Sequence, residues 1–411
     1  MASEQGFSPT AFLNGDARAD APALAYRGTY GVGVQTVNIS NLNQLDIKNY
    51  DQSAPRYDRP LKLEVWYPAT IPTGVVQLTR YSDVLGQGAG NPERPLVPFE
   101  FPGRALRDAS FQTGETFPLV IVSHGYAGSR VLLTYLTENL ASKGYVVAAI
   151  DHTDSTHADA TAFASTLVNR ALDINFTLNH MAENTFAPIV DANNTAVIGY
   201  SMGGYGTLIA AGAGISKTGD VNNIVPGNEM NRFQAGNSDY ESFLDPRIKA
   251  VVPMAPWGNG ASVKNPTWNT EGLKGIDIPA LFIVGNMDRT SGFKGVEFLF
   301  ENSVNSDRYM LVYQNGIHEI AVNPTPEIAK DYFREYMHYQ EPAWDNRRCN
   351  NINQHFITAF LGIHLKGKKE YQSYLDLITL ANDAEPNTAE YWAGFKPWTA
   401  VGLEMHHNAP N

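Results

Sequence analysis

The stretch from Thr195 to Ala211 leaves this chain little choice of fold. It opens with the apolar run Thr195-Ala196-Val197-Ile198, passes through Gly199-Tyr200-Ser201-Met202-Gly203, and continues with small and apolar residues to Ala211. A continuous apolar run of this kind reads as a strand buried on both faces, and the segment behind it reads as a helix. Only a very tight turn joins the two, and such a turn lifts Ser201 clear of both. Gly199 and Gly203 flank the serine because a side chain at either place would strike the helix or the neighbouring strand. G-x-S-x-G alone is a weak signal, since small residues cluster in turns by chance. With a strand before it and a helix after it, the pattern is a nucleophile elbow.

The segments around it repeat the same rhythm. Pro118 to Ser123 is a short apolar strand, Val131 to Lys143 a helix stopped by Gly144, Tyr145 to Ile150 a strand, and Thr161 to Met181 a long helix. Ile248–Met254, Ile278–Val284 and Tyr309–Tyr313 read as further strands, the last of them closing the sheet. Strand and helix alternating at this pace predict an α/β fold: a mostly parallel central sheet with helices on both faces. Tyr30–Ile39 and Leu61–Tyr67 alternate in polarity and predict an antiparallel pair at the sheet edge. Residues 325 to 340 look helical, and Gln354–Leu365 predicts a helix on the outer face.

A length of 411 residues with 43% hydrophobic content allows two or three domains. One large α/β domain over 1–411, carrying insertions, fits equally well and is the expectation here. Its additions are a polar N-terminal extension (1–28), a Pro- and Gly-rich irregular insertion (68–117), a lid-like insertion (215–247) and an irregular C-terminal strap (381–411).

A serine hydroxyl is a poor nucleophile at neutral pH and needs a base, which in turn needs an orienting acid. In this topology the acid follows a later strand and the histidine follows the last one. Asp288 stands one Gly-containing turn beyond Ile278–Val284; its bland alternative is a helix cap. His318 stands one short loop beyond Tyr309–Tyr313; its bland alternative is a solvated loop residue. Oxyanion donors are expected from the backbone N–H of Met202 and from the loop Ser123-His124-Gly125-Tyr126-Ala127. Tyr126 is the candidate there, although sequence alone leaves Tyr126 and Ala127 both open.

These motifs, with Ala149-Ile150-Asp151-His152 and Met254-Ala255-Pro256-Trp257, resemble the α/β-hydrolases over about residues 60 to 365. Within them the chain is similar to the group holding platelet-activating-factor acetylhydrolases, dienelactone-hydrolase-like esterases and bacterial cutinase-type polyester hydrolases. The resemblance implies that Trp257 lines the acyl or aromatic part of the site, with Tyr126 as a second aromatic boundary. It departs from those groups in three ways. The nucleophile is Ser where true dienelactone hydrolases use Cys, the 68–117 insertion has no counterpart in small cutinases, and the paired C-terminal cysteines of cutinases are missing.

The implied activity is carboxylic-ester hydrolysis through an acyl-enzyme on small to medium esters, without cofactor or metal. Polyester, plasticiser-diester or short-chain phospholipid cleavage would use the same chemistry. An acyltransferase, a non-catalytic binder and a peptidase are the rivals from other classes. The cluster Asp151 to Asp159, with His152 and His157, has ligand types suited to zinc or calcium, but such residues in this fold usually bond loops near the site. A net charge of −12 speaks against a nucleic-acid partner. The longest apolar runs fall short of a membrane span. Gly31-Val32-Gly33 is no dinucleotide fingerprint, since Thr36 stands where the third glycine belongs. The polar start Met1-Ala2-Ser3-Glu4-Gln5 and the single Cys349 fit a cytoplasmic protein, or an exported one whose leader has been removed.

Overall fold

The alternating segments near the start form β1 (Gly31–Leu45) and β2 (Arg56–Ala69), paired antiparallel from Gly31↔Ala69 to Leu45↔Arg56 in the computed structural model. The structure describes residues 11–260, 263–388 and 391–411, so residues 1–10 of the N-terminal extension and residues 389 and 390 of the strap lie outside it. β3 (Thr79–Leu85) and β4 (Val97–Gly103) make a separate two-stranded sheet, followed by the two-residue β5 (Leu106–Arg107). Then come β6 (Phe117–Ser123), α1 (Thr134–Ser142), β7 (Val146–Asp151), α2 (Phe163–Glu183), β8 (Val190–Tyr200) and α3 (Met202–Ala210). The short α4 (Val221–Ile224) and α5 (Ser238–Phe243) precede β9 (Ile248–Met254), and α6 (Thr270–Leu273) precedes β10 (Ala280–Gly285). α7 (Phe293–Asn302), β11 (Arg308–Tyr313), α8 (Phe333–Tyr336), α9 (Asn346–Lys366) and β12 (Leu403–Asn408) follow.

The main sheet has the order β12-β11-β10-β9-β8-β6-β7-β2-β1-β5. Its centre, from β11 to β7, is parallel, while β12, β2 and the β1–β2 pair run antiparallel. Helices cover both faces, so the central strands have no polar side. In β6, Val120 and Val122 join one core with Leu136, Leu140 and Phe356, while Leu119 and Ile121 join the other with Leu167, Ala171 and Ile174. The period of two along the strand deals successive residues to opposite layers. Each such side chain, fully withdrawn from water, contributes roughly 1.5–3 kcal/mol before the entropy of ordering is set against it. This is the layered, mostly parallel sheet that the strand rhythm predicts, in the α/β-hydrolase arrangement that the family resemblance implies.

Several expectations need correction. Residues 68–117 are not irregular throughout, because β3 and β4 pair from Thr79↔Gly103 to Leu85↔Val97. Pro98 and Pro102 hide this strand from the sequence, yet a two-stranded sheet always has free edges where proline fits. Residues 215–247 do not form a lid. α3 carries the chain away from Ser201, the first part of the segment bonds the 264–267 loop through Ser216 and Asp220, and its later part packs at the far end of the sheet. Tyr240 Oη donates to Ile209 O at the end of α3, and Thr195 N, at the opposite end of β8's apolar run from Ser201, donates to Arg247 O. The strap is not irregular throughout, and Tyr309–Tyr313 is not the last strand. Leu403–Asn408 extends the sheet as β12, with only Leu403 and Met405 buried to mark it. Residues 325–340 hold a single 3-10 turn at Glu327–Asp331 and the four-residue α8, not a continuous helix. The helix predicted at Gln354–Leu365 is not on an outer face. α9 is nearly all buried because residues 23–25 and 369–374 pack over it.

Candidate active site

The elbow is as tight as its composition requires. Ser201 adopts φ 54° and ψ −113°, a combination a residue with a side chain avoids at a cost of roughly 1–3 kcal/mol. Neighbouring backbone holds it there. Ser201 N–H donates to Met254 O at 2.9 Å, and Ser201 O accepts from Tyr205 N at 3.0 Å and Trp257 N at 3.1 Å. A Cβ on Gly199 would lie 2.2 Å from Gly203 O, and one on Gly203 would lie 1.9 Å from Ser123 O. Both glycines are therefore places where backbone meets backbone.

Asp288 and His318 arrive from the ends of β10 and β11. The two loops are tied together, for Met287 N–H donates to Gly316 O at 2.9 Å. Ile317 N–H donates to the buried Glu341 carboxylate at 2.7 Å, which fixes the residue before the histidine. Across the cleft, His318 Nε2 lies 2.9 Å from Ser201 Oγ, and His318 Nδ1 lies 2.8 Å from Asp288 Oδ2. A carboxylate only accepts, so Nδ1 carries the proton to Asp288 and Nε2 is left to accept from the serine hydroxyl. Asp288 is also held by N–H groups of Thr290 (2.8 Å) and Ser291 (2.9 Å) on its other oxygen. Its helix-capping kind of contact and its contact with His318 thus coexist.

Burial alone would push His318 towards the neutral form, but the Asp288 charge and hydrogen bond outweigh it and raise the pKa. Burial would likewise raise Asp288, yet the opposing imidazole and the loop N–H groups hold it below the usual carboxylate range. Beside them Glu319 is pushed up to about 7, first by burial and also by Asp288, against the pull of His318. Sequence reasoning passed over Glu319 and Tyr200, whose ring lies 5.0 Å from the His318 ring. Both adjoin a residue already singled out, and adjacency was the only signal available.

Met202 opens α3, so its N–H finds no carbonyl within its own helix. Gly125 flanks the serine: a Cβ there would come within 3.4 Å of Ser201 Cβ. Tyr126 and Trp257 are both half-buried, and they are joined through Phe163, edge to face at 5.4 and 5.5 Å. Phe163 is the first residue of α2 and read in the sequence as one member of an apolar stripe.

The residues Asp151 to Asp159 have protein partners. Asp151 pairs with Arg130 at 2.7 Å, Asp154 with Arg59 at 3.5 Å and Lys48 at 3.6 Å, and Asp159 accepts from the N–H groups of Asp154 and Thr156. His152 meets Asp173 at 2.9 Å, and His157 Nδ1 donates to Gly86 O at 3.0 Å. Among the described residues no group of three or more His, Cys, Asp or Glu is arranged to hold a metal ion. Nor, among them, is any helix long and apolar enough to cross a membrane. The insertion also reaches this region. Gly88 N–H donates to His157 O at 2.7 Å, Ser129 Oγ donates to Asp83 at 2.6 Å, and Arg94 pairs with Glu335 at 2.6 Å. It therefore buttresses the loop after β6.

Sheet order, elbow and loop positions together give the α/β-hydrolase fold with a serine, a histidine and an aspartate at the ends of its strands. Comparison with known proteins narrows the likeness. A model described as PETase, PET hydrolase-like, matches residues 109–235. Cutinase est1 of Thermobifida alba is 28% identical over 205 residues, 49% of this chain and 54% of the relative. The platelet-activating factor acetylhydrolase of Gallus gallus is 39% identical over 59 residues, 14% of each chain. The chain thus spans about half the length, or less, of the curated relatives it matches. A solved structure of ferulic acid esterase from Streptomyces cinnamoneus shares the fold, with a TM-score of 0.56 at 20% identity, over 85% of this chain and 94% of that one.

Proposed function

We propose that this protein is a serine carboxylic-ester hydrolase that works through an acyl-enzyme on small to medium esters. The observation that carries this reading is the unbroken run of hydrogen bonds from Ser201 to His318 to Asp288, at 2.9 and 2.8 Å. Ser201 Oγ attacks the ester carbonyl while its proton passes to His318 Nε2. The N–H groups of Met202 and Tyr126 hold the oxyanion. Collapse expels the alcohol, which takes the proton from His318, and water repeats the sequence to release the acid. Asp288 keeps the imidazole in the useful tautomer and stabilises the imidazolium. The relatives named as cutinases and the neighbour named as a ferulic acid esterase support the same chemistry.

Ser201→Ala is expected to cut turnover of p-nitrophenyl acetate and butyrate by about 10⁴-fold or more. Wild-type turnover in that variant would remove the assignment.

A second reading, polyester cleavage, is favoured by the match to PET hydrolase-like proteins and by the half-exposed Tyr126–Phe163–Trp257 wall, which offers an aryl unit edges and faces. A series of alkyl and aryl esters separates the readings. Preference for aryl diesters over alkyl esters of equal size supports the polyester reading, and a sharp fall beyond about four to six acyl carbons argues for the small-ester one.

A further inference from the structure

Beneath the loop after β6 lies a second array of serine, histidine and aspartate. Ser123 Oγ sits 2.8 Å from His152 Nε2, and His152 Nδ1 sits 2.9 Å from Asp173 Oδ2. Ser123, His152 and Asp173 are 0–1% exposed, so no ester reaches Ser123 and the array is not a second nucleophile. Its role follows from what it holds. Arg59 grips Asp173 with Nε at 2.8 Å and Nη2 at 2.9 Å, a two-pronged pair that leaves the carboxylate charged and rigid. Three residues earlier on α2, the guanidinium of Arg170 leans on Ser123 Oγ at 3.3 Å and donates to His124 O, to Ser155 Oγ, and to Gly125 O at 2.9 Å. His124 adds its own Nδ1–H to Gly125 O at 2.6 Å. A Cβ on Gly206 would come within 2.9 Å of Arg170 Cβ, so the elbow helix gives way to let this side chain through. Burial pulls the Arg170 pKa down to about 9, which leaves it a cation at neutral pH.

The consequence lies in one peptide unit. Across a trans peptide the C=O and the following N–H point in opposite directions. Gly125 O is drawn inward by two donors, so the N–H of Tyr126 is turned outward, on the side where Gly125 borders Ser201. We propose that Arg170 is a positioning residue for the ester-hydrolase reaction: by clamping the carbonyls of His124 and Gly125 it aims the Tyr126 N–H at the oxyanion. This rests on the serine-hydrolase reading above and selects Tyr126 over Ala127 as the donor of that loop. Arg170 touches no reacting atom; it acts through the orientation of the peptide.

The test is Arg170→Lys, which keeps a cation but loses the planar fork, with every rate normalised to active sites titrated by a fluorophosphonate. kcat on p-nitrophenyl butyrate is expected to fall about 10- to 100-fold, with KM within about three-fold. Inhibition by butaneboronic acid, which mimics the tetrahedral oxyanion, should weaken in parallel, because only that state uses the N–H. A role confined to stability would lower the melting temperature and the titratable fraction but leave normalised kcat and boronate affinity where they were, and that result overturns the proposal. If Arg170→Lys does not fold, Ser155→Ala and Ser123→Ala each remove one support of the guanidinium. Each is then expected to lower normalised kcat and boronate affinity together by about three-fold or more, and no change in either variant overturns the proposal. Should Ser201→Ala keep wild-type turnover, the underlying reading fails first. Full loss in Ser201→Ala with unchanged Arg170→Lys kinetics removes only this inference.

Discussion

In the proposed reaction His318 must be neutral to take a proton from Ser201, yet its surroundings favour the charged form. Asp288 holds it above its ordinary value despite burial. The pH dependence has a definite sign. As pH falls through the raised pKa, the imidazole is protonated and the base is lost, so kcat/KM should rise along an acid limb whose midpoint lies above about 6.5. Asp288→Asn removes the charge, moves that limb to lower pH and cuts turnover by about 10⁴-fold through the wrong tautomer. A limb that stays in place in Asp288→Asn would show that the carboxylate does not set the histidine's protonation. At this scale the meeting of three side chains was legible. Ser201, Asp288 and His318 are marked by chain order relative to strands, because the sheet brings the ends of successive parallel strands to one side. Arg170 was not legible. A lone arginine inside an amphipathic helix pattern looks like a surface residue until its fork is seen on two carbonyls.

At the scale of elements, the elbow depends on β6, β8 and α3 approaching to backbone distance. Gly203 is where α3 touches the end of β6, and a methyl group there would meet Ser123 O at 1.9 Å and its carbonyl carbon at 2.6 Å. Neither atom can retreat without opening the β6–β8 pairing next to it. Gly203→Ala is therefore expected to cost about 3 kcal/mol or more and to abolish turnover in whatever still folds. Urea unfolding and fluorophosphonate titration measure both; a variant of unchanged midpoint and full titre would contradict the close approach. The buried parallel strands were readable because they are apolar without interruption. β3, β4 and β12 were not, since edge strands tolerate proline and polar side chains and so lose the pattern that would announce them.

The molecule as a whole withholds protons from its histidines. Burial, the largest cause in each, lowers His124 well below its ordinary value, His152 and His355 to about 3, and His157 and His338 to about 4. The unfolded chain binds these protons near pH 6.5 and the folded one does not, so their contribution is complete above about pH 6.5 and is lost as pH falls. Burial lowers His180 and His364 as well. His318, Asp83 (about 6), Glu319 (about 7), Glu138, Asp151 and Glu341 are raised and pull the other way, but the three carboxyls last named carry ordinary values well below this pH range, so the seven histidines dominate it. Stability should therefore fall from pH 7 to pH 5, each net proton tilting it by about 1.4 kcal/mol per pH unit. Melting temperatures across that range check it, and a flat or rising profile towards acid would mean the histidines are protonated in the fold.

The chain's own order of residues determined the layered α/β architecture, the serine at a forced turn and the positions of its two partners, because each of these is written in local periodicity and in distance from a strand end. Tertiary structure alone decided that Tyr240 and Arg247 pack at the end of the sheet away from the serine, that α9 is covered, and that Arg170 reaches the loop beside the nucleophile. Those outcomes depend on which surfaces meet, and residues that touch from separate places in the chain leave no periodic trace in either partner.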